Sequence, residues 1–239
     1  MGSERPLRLL LKLSGEALGS AADGTGIEPA TVTDLCVELA AFVQAGGELG
    51  IVIGGGNLLR GATLASAGVE RVSADHMGML ATIMNGIALS SMLRKQGVET
   101  ALFAATPIAG IAPGYSSEAA MAALQAGKVC VFTGGTGNPL FTTDTAACLR
   151  AIEVQADLVL KATKVDGVYS ADPQLDPSAT RFESLTYAEV LELNLAVMDL
   201  TAICLCQEHE MPLVVFDMAH RGALRGIIEG QAVGTRIHA

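Results

Sequence analysis

Apolar residues recur along the chain in two rhythms. Arg8 to Leu13 (RLLLKL), Leu49 to Ile53 (LGIVI), Val98 to Phe103, Lys128 to Thr133, Leu158 to Ala162 and Leu213 to Phe216 are short, nearly unbroken apolar runs, the pattern of strands buried on both faces. Glu28 to Ala45 instead places Val32, Leu35, Cys36, Leu39, Phe42 and Val43 at three- and four-residue steps and stops at Gly46-Gly47, which predicts a helix with a glycine C-cap. Helical stretches separate most of the strands. That alternation implies right-handed crossovers and a mainly parallel sheet covered on both faces, an α/β fold. Met77 to Leu93 is apolar nearly all round, so it wants cover on more than one side. A deep core helix and a subunit interface both satisfy that pattern.

No composition shift, linker or repeat divides the 239 residues, so one domain over 1–239 is expected, with 1–7 as a flexible N-terminus. Half the residues are hydrophobic and only 17% are charged, which fits a compact chain with much buried surface. The formal net charge of -10 repels a polyanion and argues against nucleic acid as a partner. Five cysteines without a C-x-x-C pair fit buried thiols in a reducing compartment. Charged residues interrupt the N-terminus, leaving no secretion signal. Asn85, Gly86, Pro107 and Pro113 interrupt the longest uncharged stretches, so no membrane partner is expected and the cytoplasm is the expected location.

Ser14-Gly15, Gly54-Gly55-Gly56-Asn57 and Gly134-Gly135-Thr136-Gly137-Asn138-Pro139 each follow an expected strand. In a parallel sheet these turns share one edge. Glycine lets backbone N–H groups approach an anion, and the next helix N-terminus adds a positive dipole. A single such turn reads most simply as a tight turn, whereas three at one edge favour phosphate. G-x-x-x-x-G-K-[ST], G-x-G-x-x-G, H-E-x-x-H and G-x-S-x-G are all missing, which excludes the simplest P-loop, dinucleotide-binding, zincin and hydrolase readings. Cys204, Cys206 and His209 do not converge on one helical face, so zinc is not expected.

Cations near the glycine turns therefore carry weight. Lys12 sits inside an apolar strand, where it either snorkels or is held toward a ligand; the ligand is the stronger reading. Arg60 follows the triple glycine and fits a forked contact with phosphate, or a solvated helix position. Lys161 and Lys164 flank a strand end beside an Asp166-Gly167 turn.

Lys12-Leu-Ser-Gly-Glu-Ala-Leu18, Gly54-Gly-Gly-Asn-Leu-Leu-Arg60-Gly61, Asp75-His-Met-Gly-Met79, Gly135-Thr-Gly-Asn-Pro-Leu-Phe-Thr-Thr-Asp144 and Lys161-Ala-Thr-Lys-Val-Asp-Gly-Val-Tyr169 with Asp172-Pro173 together resemble the bacterial uridylate kinases, a branch of the amino acid kinase family. The resemblance runs in order from Arg8 to Gly234-Thr-Arg-Ile, essentially the whole chain. It implies a three-layer sandwich, ATP- and Mg²⁺-dependent phosphorylation of UMP to UDP, a homohexamer built of dimers, activation by GTP and inhibition by UTP. Carried over by position, Lys12, Leu13, Ser14, Gly15, Gly56, Arg60, Thr163, Tyr169 and Asp172 belong to the ATP side. Gly55, Asp75, Thr136, Gly137, Asn138, Pro139, Leu140, Phe141, Thr142 and Thr143 belong to the UMP side.

Phosphoryl transfer spreads negative charge over oxygens, and the protein's task is alignment and electrostatic stabilisation. Lys12 is expected at the transferring phosphoryl with Lys161 as second cation, Arg60 and the Gly54 to Gly56 amides at the UMP phosphate, and Asp75 at the ribose. Mg²⁺ is expected to be held mainly by the nucleotide phosphates. Asp144 and Asp199 either orient the lysines or the metal shell, or serve as helix N-terminal carboxylates. The family pattern has phenylalanine where Leu140 stands and asparagine where Asp217 stands, and the loop from Leu18 to Gly24 is idiosyncratic. A family member acting on a carboxylate or carbamate and a non-catalytic nucleotide-binding protein on the same fold are the alternatives.

Overall fold

A computed structural model describes residues 5–59, 64, 66, 68–173, 175–218 and 222–239. The chain runs through β1 (Arg8–Leu13), a 3₁₀ turn (Gly15–Leu18), α1 (Pro29–Gln44), β2 (Glu48–Ile53), α2 (Arg71–Lys95), β3 (Thr100–Ala104), α3 (Ser117–Gln125) and β4 (Val129–Thr133). It continues through α4 (Thr143–Glu153), β5 (Leu158–Thr163), β6 (Ser184–Thr186), α5 (Tyr187–Glu192), α6 (Leu200–Glu208), β7 (Leu213–Asp217), α7 (Ala223–Ile228) and β8 (Thr235–His238). The strands form one sheet in the order β3-β4-β2-β1-β5-β7-β8-β6. All pairings are parallel except β7 with β8.

Alternation along the strands divides the core into two layers. Leu9, Leu11, Leu13, Leu49, Ile51, Ile53, Leu160, Val214 and Phe216 pack under α1, α2 and α7. Leu10, Val52, Val159, Leu213 and Val215 point the other way, under α3, α4, α5 and α6. The result is the expected three-layer α/β sandwich. Expected strand limits differ from the observed ones by two residues or fewer. β6 and β8 escape the pattern because they are three and four residues long, too short for alternation to separate a strand from an extended loop.

Helix α2 departs from the deep-core expectation for Met77 to Leu93. Its sheet-facing side carries small and polar residues, Ala81, Thr82, Asn85, Gly86 and Ser90 among them, while Met77, Leu80, Met84 and Ile87 are exposed. The chain's own fold therefore covers one side only, and α2 is not a deep core helix. Among the described residues it is also the helix long and apolar enough by composition to cross a membrane, but 44% of its apolar window is buried within the fold. Cysteine burial needs one correction: Cys36, Cys130, Cys148 and Cys206 are buried, whereas Cys204 is exposed.

The amino end of β1 is anchored by a buried ion pair. Arg8 Nε lies 2.5 Å from Glu48 Oε2, and the side chains are 3% and 8% exposed. The guanidinium also donates to the Val154 carbonyl, and the Arg8 backbone N–H donates to Asp157. Removing one member of such a pair leaves an uncompensated buried charge. Glu48→Ala is expected to lower unfolding free energy by about 3–5 kcal/mol, measured from chemical denaturation midpoints; a loss below about 1 kcal/mol, the range of exposed pairs, would show that the pair is effectively solvated.

Candidate active site

Parallel pairing puts Lys12 of β1 opposite Lys161 of β5 in register. Register partners in a parallel pair project from the same face, and here that face is the one covered by α4. Asp144, in the first turn of α4, meets both: its Oδ1 is 2.9 Å from Lys12 Nζ and its Oδ2 is 2.7 Å from Lys161 Nζ. The three side chains are 11–13% exposed. Lys161 also donates to the Val197 carbonyl at 2.5 Å. The Lys12 contact is an ion pair without hydrogen-bond alignment, since Asp144 Oδ1 accepts no hydrogen bond. Lys12 therefore keeps ammonium donors to direct toward a ligand.

Burial pushes the Asp144 carboxyl upward, but Lys12 and Lys161 together override it and hold the group below its ordinary value. For Lys161 burial is the largest influence and lowers it; Asp144 pulls it back up, Lys12 lowers it further, and the outcome is a depressed ammonium. The linkage signs are opposite. The contribution of Asp144 to stability is complete above about pH 4, its unfolded value, and is lost as pH falls through its lower folded value. For Lys161, the unfolded chain holds a proton that the folded chain has released between the depressed value and about pH 10.4, so stability rises with pH across that window.

The three glycine turns follow the neighbouring strands β1, β2 and β4 and so share the carboxyl edge of the sheet, as expected. A Cβ on Gly15 would lie 2.3 Å from Asn57 Oδ1 and 2.8 Å from Gly56 N, so only glycine lets the first two turns approach so closely. Gly54 N–H donates to the Leu13 carbonyl at 2.9 Å; the Leu13 side chain itself is buried in the core. Ser14 caps the 3₁₀ turn by position, without a side-chain capping bond. The third turn closes with Gly137 N–H on the Gly134 carbonyl, and the Thr136 hydroxyl accepts from the Asn138 N–H at 3.2 Å.

Pro139 leads to Leu140, whose φ of 74° is unusual for a residue with a side chain. Its N–H donates to Asp75 Oδ2 at 2.8 Å, and Asp75 also pairs with Arg71 at 3.0 Å. Leu140 and Phe141 are exposed. Thr142 is the N-cap of α4, accepting from the Asp144 and Thr145 N–H groups, and Thr143 begins the helix.

Asp199 does not meet the lysines. Its carboxylate caps α6 through the Ala202 N–H and receives the hydroxyls of Thr142 and Thr145. The helix N-terminal alternative is the one its geometry fits, and it acts on Asp144 only by fixing where α4 begins. Thr163 ends β5 and bonds within its own turn to Val165. Tyr169 donates to Asp166 at 2.6 Å; with Asp172 it belongs to the loop after β5, beyond the trio. Arg60 lies outside the described residues.

A cleft of about 1280 Å³ opens between the 3₁₀ turn, α1 and α7. It touches this region at Ser14 and Thr163 but is not lined by Lys12, Asp144 or Lys161. Charge, rather than volume, acts on a reacting group, and the paired charges lie at the trio, outside the cleft. Two residues missed by sequence reasoning also belong here. Thr82 accepts the Gly134 N–H, and Asn85 holds the Gly54 carbonyl; a polar residue repeated on the inner side of an apolar helix is the signal that marks them.

A parallel sheet with two ammonium groups and three glycine turns at its carboxyl edge defines the class: an α/β protein built to hold phosphate groups. A match to the amino acid kinase family model extends over residues 8–217, and the chain belongs to that family. It is 53% identical over 237 residues to the uridylate kinase of Alcanivorax borkumensis, covering 99% of this chain and 94% of that one. It is 55% identical over 230 residues to the uridylate kinase of Stutzerimonas stutzeri, covering 96% and 93%. The crystal structure of UMP kinase from Bacillus anthracis superposes with a TM-score of 0.94 at 35% identity, covering 98% of this chain and 97% of that one.

The depressed Lys161 ammonium can be observed directly. In an NMR titration of ε-¹³C-labelled lysines, one resonance is expected to titrate below about pH 10.4, the ordinary lysine value. In Asp144→Asn, the loss of the attractive charge should move it lower still; an unchanged or raised value in that variant would refute the electrostatic account.

Proposed function

We propose that the chain transfers the γ-phosphoryl group of ATP to UMP, giving ADP and UDP. The observation that carries this reading is the Lys12–Asp144–Lys161 trio at the edge where the glycine turns meet, in a chain more than half identical to uridylate kinases over nearly its whole length. The whole chain acts as one domain in this reading.

Two ammoniums against one carboxylate leave the trio net positive, complementary to the charge spread over the phosphoryl oxygens in the transition state. Lys12 contacts the transferring group, and Lys161, fixed by Asp144 and Val197, supplies the second positive charge. The N-terminus of α4 adds its dipole. Ser14, Gly15, Gly56 and Arg60 hold the donor phosphates, and Thr163, Tyr169 and Asp172 hold the rest of ATP. Gly55 and its neighbouring amides hold the UMP phosphate together with Arg60; Asp75 receives a ribose hydroxyl while its other contacts steady Leu140. Thr136 to Thr143 meet the uracil. No base is required, because a UMP phosphate oxygen is already anionic at neutral pH.

Among the described residues no cluster of three His, Cys, Asp or Glu side chains is arranged to hold a metal. In this reading Mg²⁺ would arrive with the ATP substrate and be held mainly by its phosphates. There it would supply positive charge to the donor phosphates. The exposed stripe of Met77, Leu80, Met84 and Ile87 supports a homohexamer. Activation by GTP, inhibition by UTP and a cytoplasmic location complete the reading.

A coupled ADP-release assay with UMP, CMP and carboxylate acceptors is expected to give turnover on UMP alone; turnover on a carboxylate in its place would overturn the assignment. Lys12→Ala should fold normally and lower kcat on the order of a hundredfold, as loss of one transition-state charge contact does. Turnover near that of the wild type would remove Lys12 from the reaction. Light scattering should give the mass of six chains, and a stable monomer would remove the interface role of α2.

A further inference from the structure

A buried hydroxyl and a buried amide on the sheet side of α2 need a polar reason, since each would be costly without partners. Thr82 is 3% exposed and Asn85 is fully buried. Thr82 Oγ1 donates to the Met79 carbonyl at 2.7 Å and accepts the Gly134 N–H at 2.7 Å. Asn85 Nδ2 donates to the Gly54 carbonyl and to Asn57 Oδ1, both at 2.7 Å. The Asn57 amide donates back to Asn85 Oδ1 at 3.1 Å and outward to the Gly26 carbonyl at 2.6 Å. The two amides form a closed pair whose orientation is fixed by Gly54 and Gly26, because carbonyls demand donors. The backbone is held as tightly: a Cβ on Gly55 would lie 2.9 Å from both the Ala81 Cβ and the Gly78 carbonyl.

One helix thus grips the turn after β2 through Asn85 and the turn after β4 through Thr82. Side chains three apart lie on one helical face, so the spacing of the two turns is set by a single rigid element. We infer that Thr82 and Asn85 are positioning residues, which hold the Gly54–Gly56 and Gly134–Gly137 turns at one separation so that their backbone groups meet the same acceptor nucleotide. The inference rests on the UMP reading above and adds to it that acceptor affinity, rather than donor affinity, depends on the hold of Thr82 on the turn after β4.

The test compares Thr82→Val, which keeps the shape and loses the hydroxyl, with Thr82→Ser, which keeps the hydroxyl. KM for UMP and for ATP are measured separately, at a temperature where circular dichroism shows each variant folded. Thr82→Val should raise KM for UMP by about tenfold, the effect of losing one buried hydrogen bond, with KM for ATP within about twofold. Thr82→Ser should restore the wild-type value. Should Thr82→Val not fold, Thr82→Cys, a weaker acceptor, replaces it and is expected to give a smaller rise in the same direction. Equal rises in both KM values, or none, would sink the inference while leaving the UMP reading intact. A wild-type chain without activity on UMP would remove both.

Discussion

Lys12 and Lys161 stand side by side because β1 and β5 pair in register, and in a partly desolvated layer two such charges repel strongly. The arrangement is tolerable only with a negative group between them. Asp144 supplies it, and it reaches both ammoniums because α4 begins directly above the sheet edge. The start of that helix is fixed in turn by the Thr142 cap and by Asp199, which binds Thr142 and Thr145 from α6. The helices on this face thus set an electrostatic centre with one positive charge in excess, in a chain whose overall charge is -10. Local geometry, rather than net charge, makes the edge attractive to phosphate.

The opposite face has a different task. Most amphipathic helices put large apolar residues toward the sheet. Beside the turns, from Ala81 to Gly86, helix α2 buries mostly small and polar residues, so that Gly55 fits against the helix backbone and the Gly54 and Gly134 turns find fixed partners. Met77, Leu80, Met84 and Ile87 face outward, while Ile83, Leu89 and Leu93 turn inward. The sheet edge is thereby held from both sides, by charge under α4 and by neutral hydrogen bonds under α2, and the loop before α4 links the two through Asp75 and Leu140.

That division explains which features were legible in the residue order. Buried parallel strands are continuous apolar runs, so six of the eight could be read directly, and the glycine turns followed as their ends. Lys12 stood out because a charge inside such a run demands a partner. β6 and β8 were too short to carry a period. Asn85 was legible only as an interruption of an apolar helix, since nothing local distinguishes a solvated amide from one locked to another amide 28 residues away.

The order of residues alone determined the layered α/β plan, the carboxyl-edge turns and the cations beside them, because those depend on local periodicity and on glycine's missing side chain. Tertiary structure decided that one carboxylate serves both lysines, that Asp199 caps a helix, that α2 exposes Met77, Leu80, Met84 and Ile87, and that β8 runs against β7. Each of these depends on which distant segments come within a few ångströms of one another, and pairing across space leaves no periodic trace in a single chain.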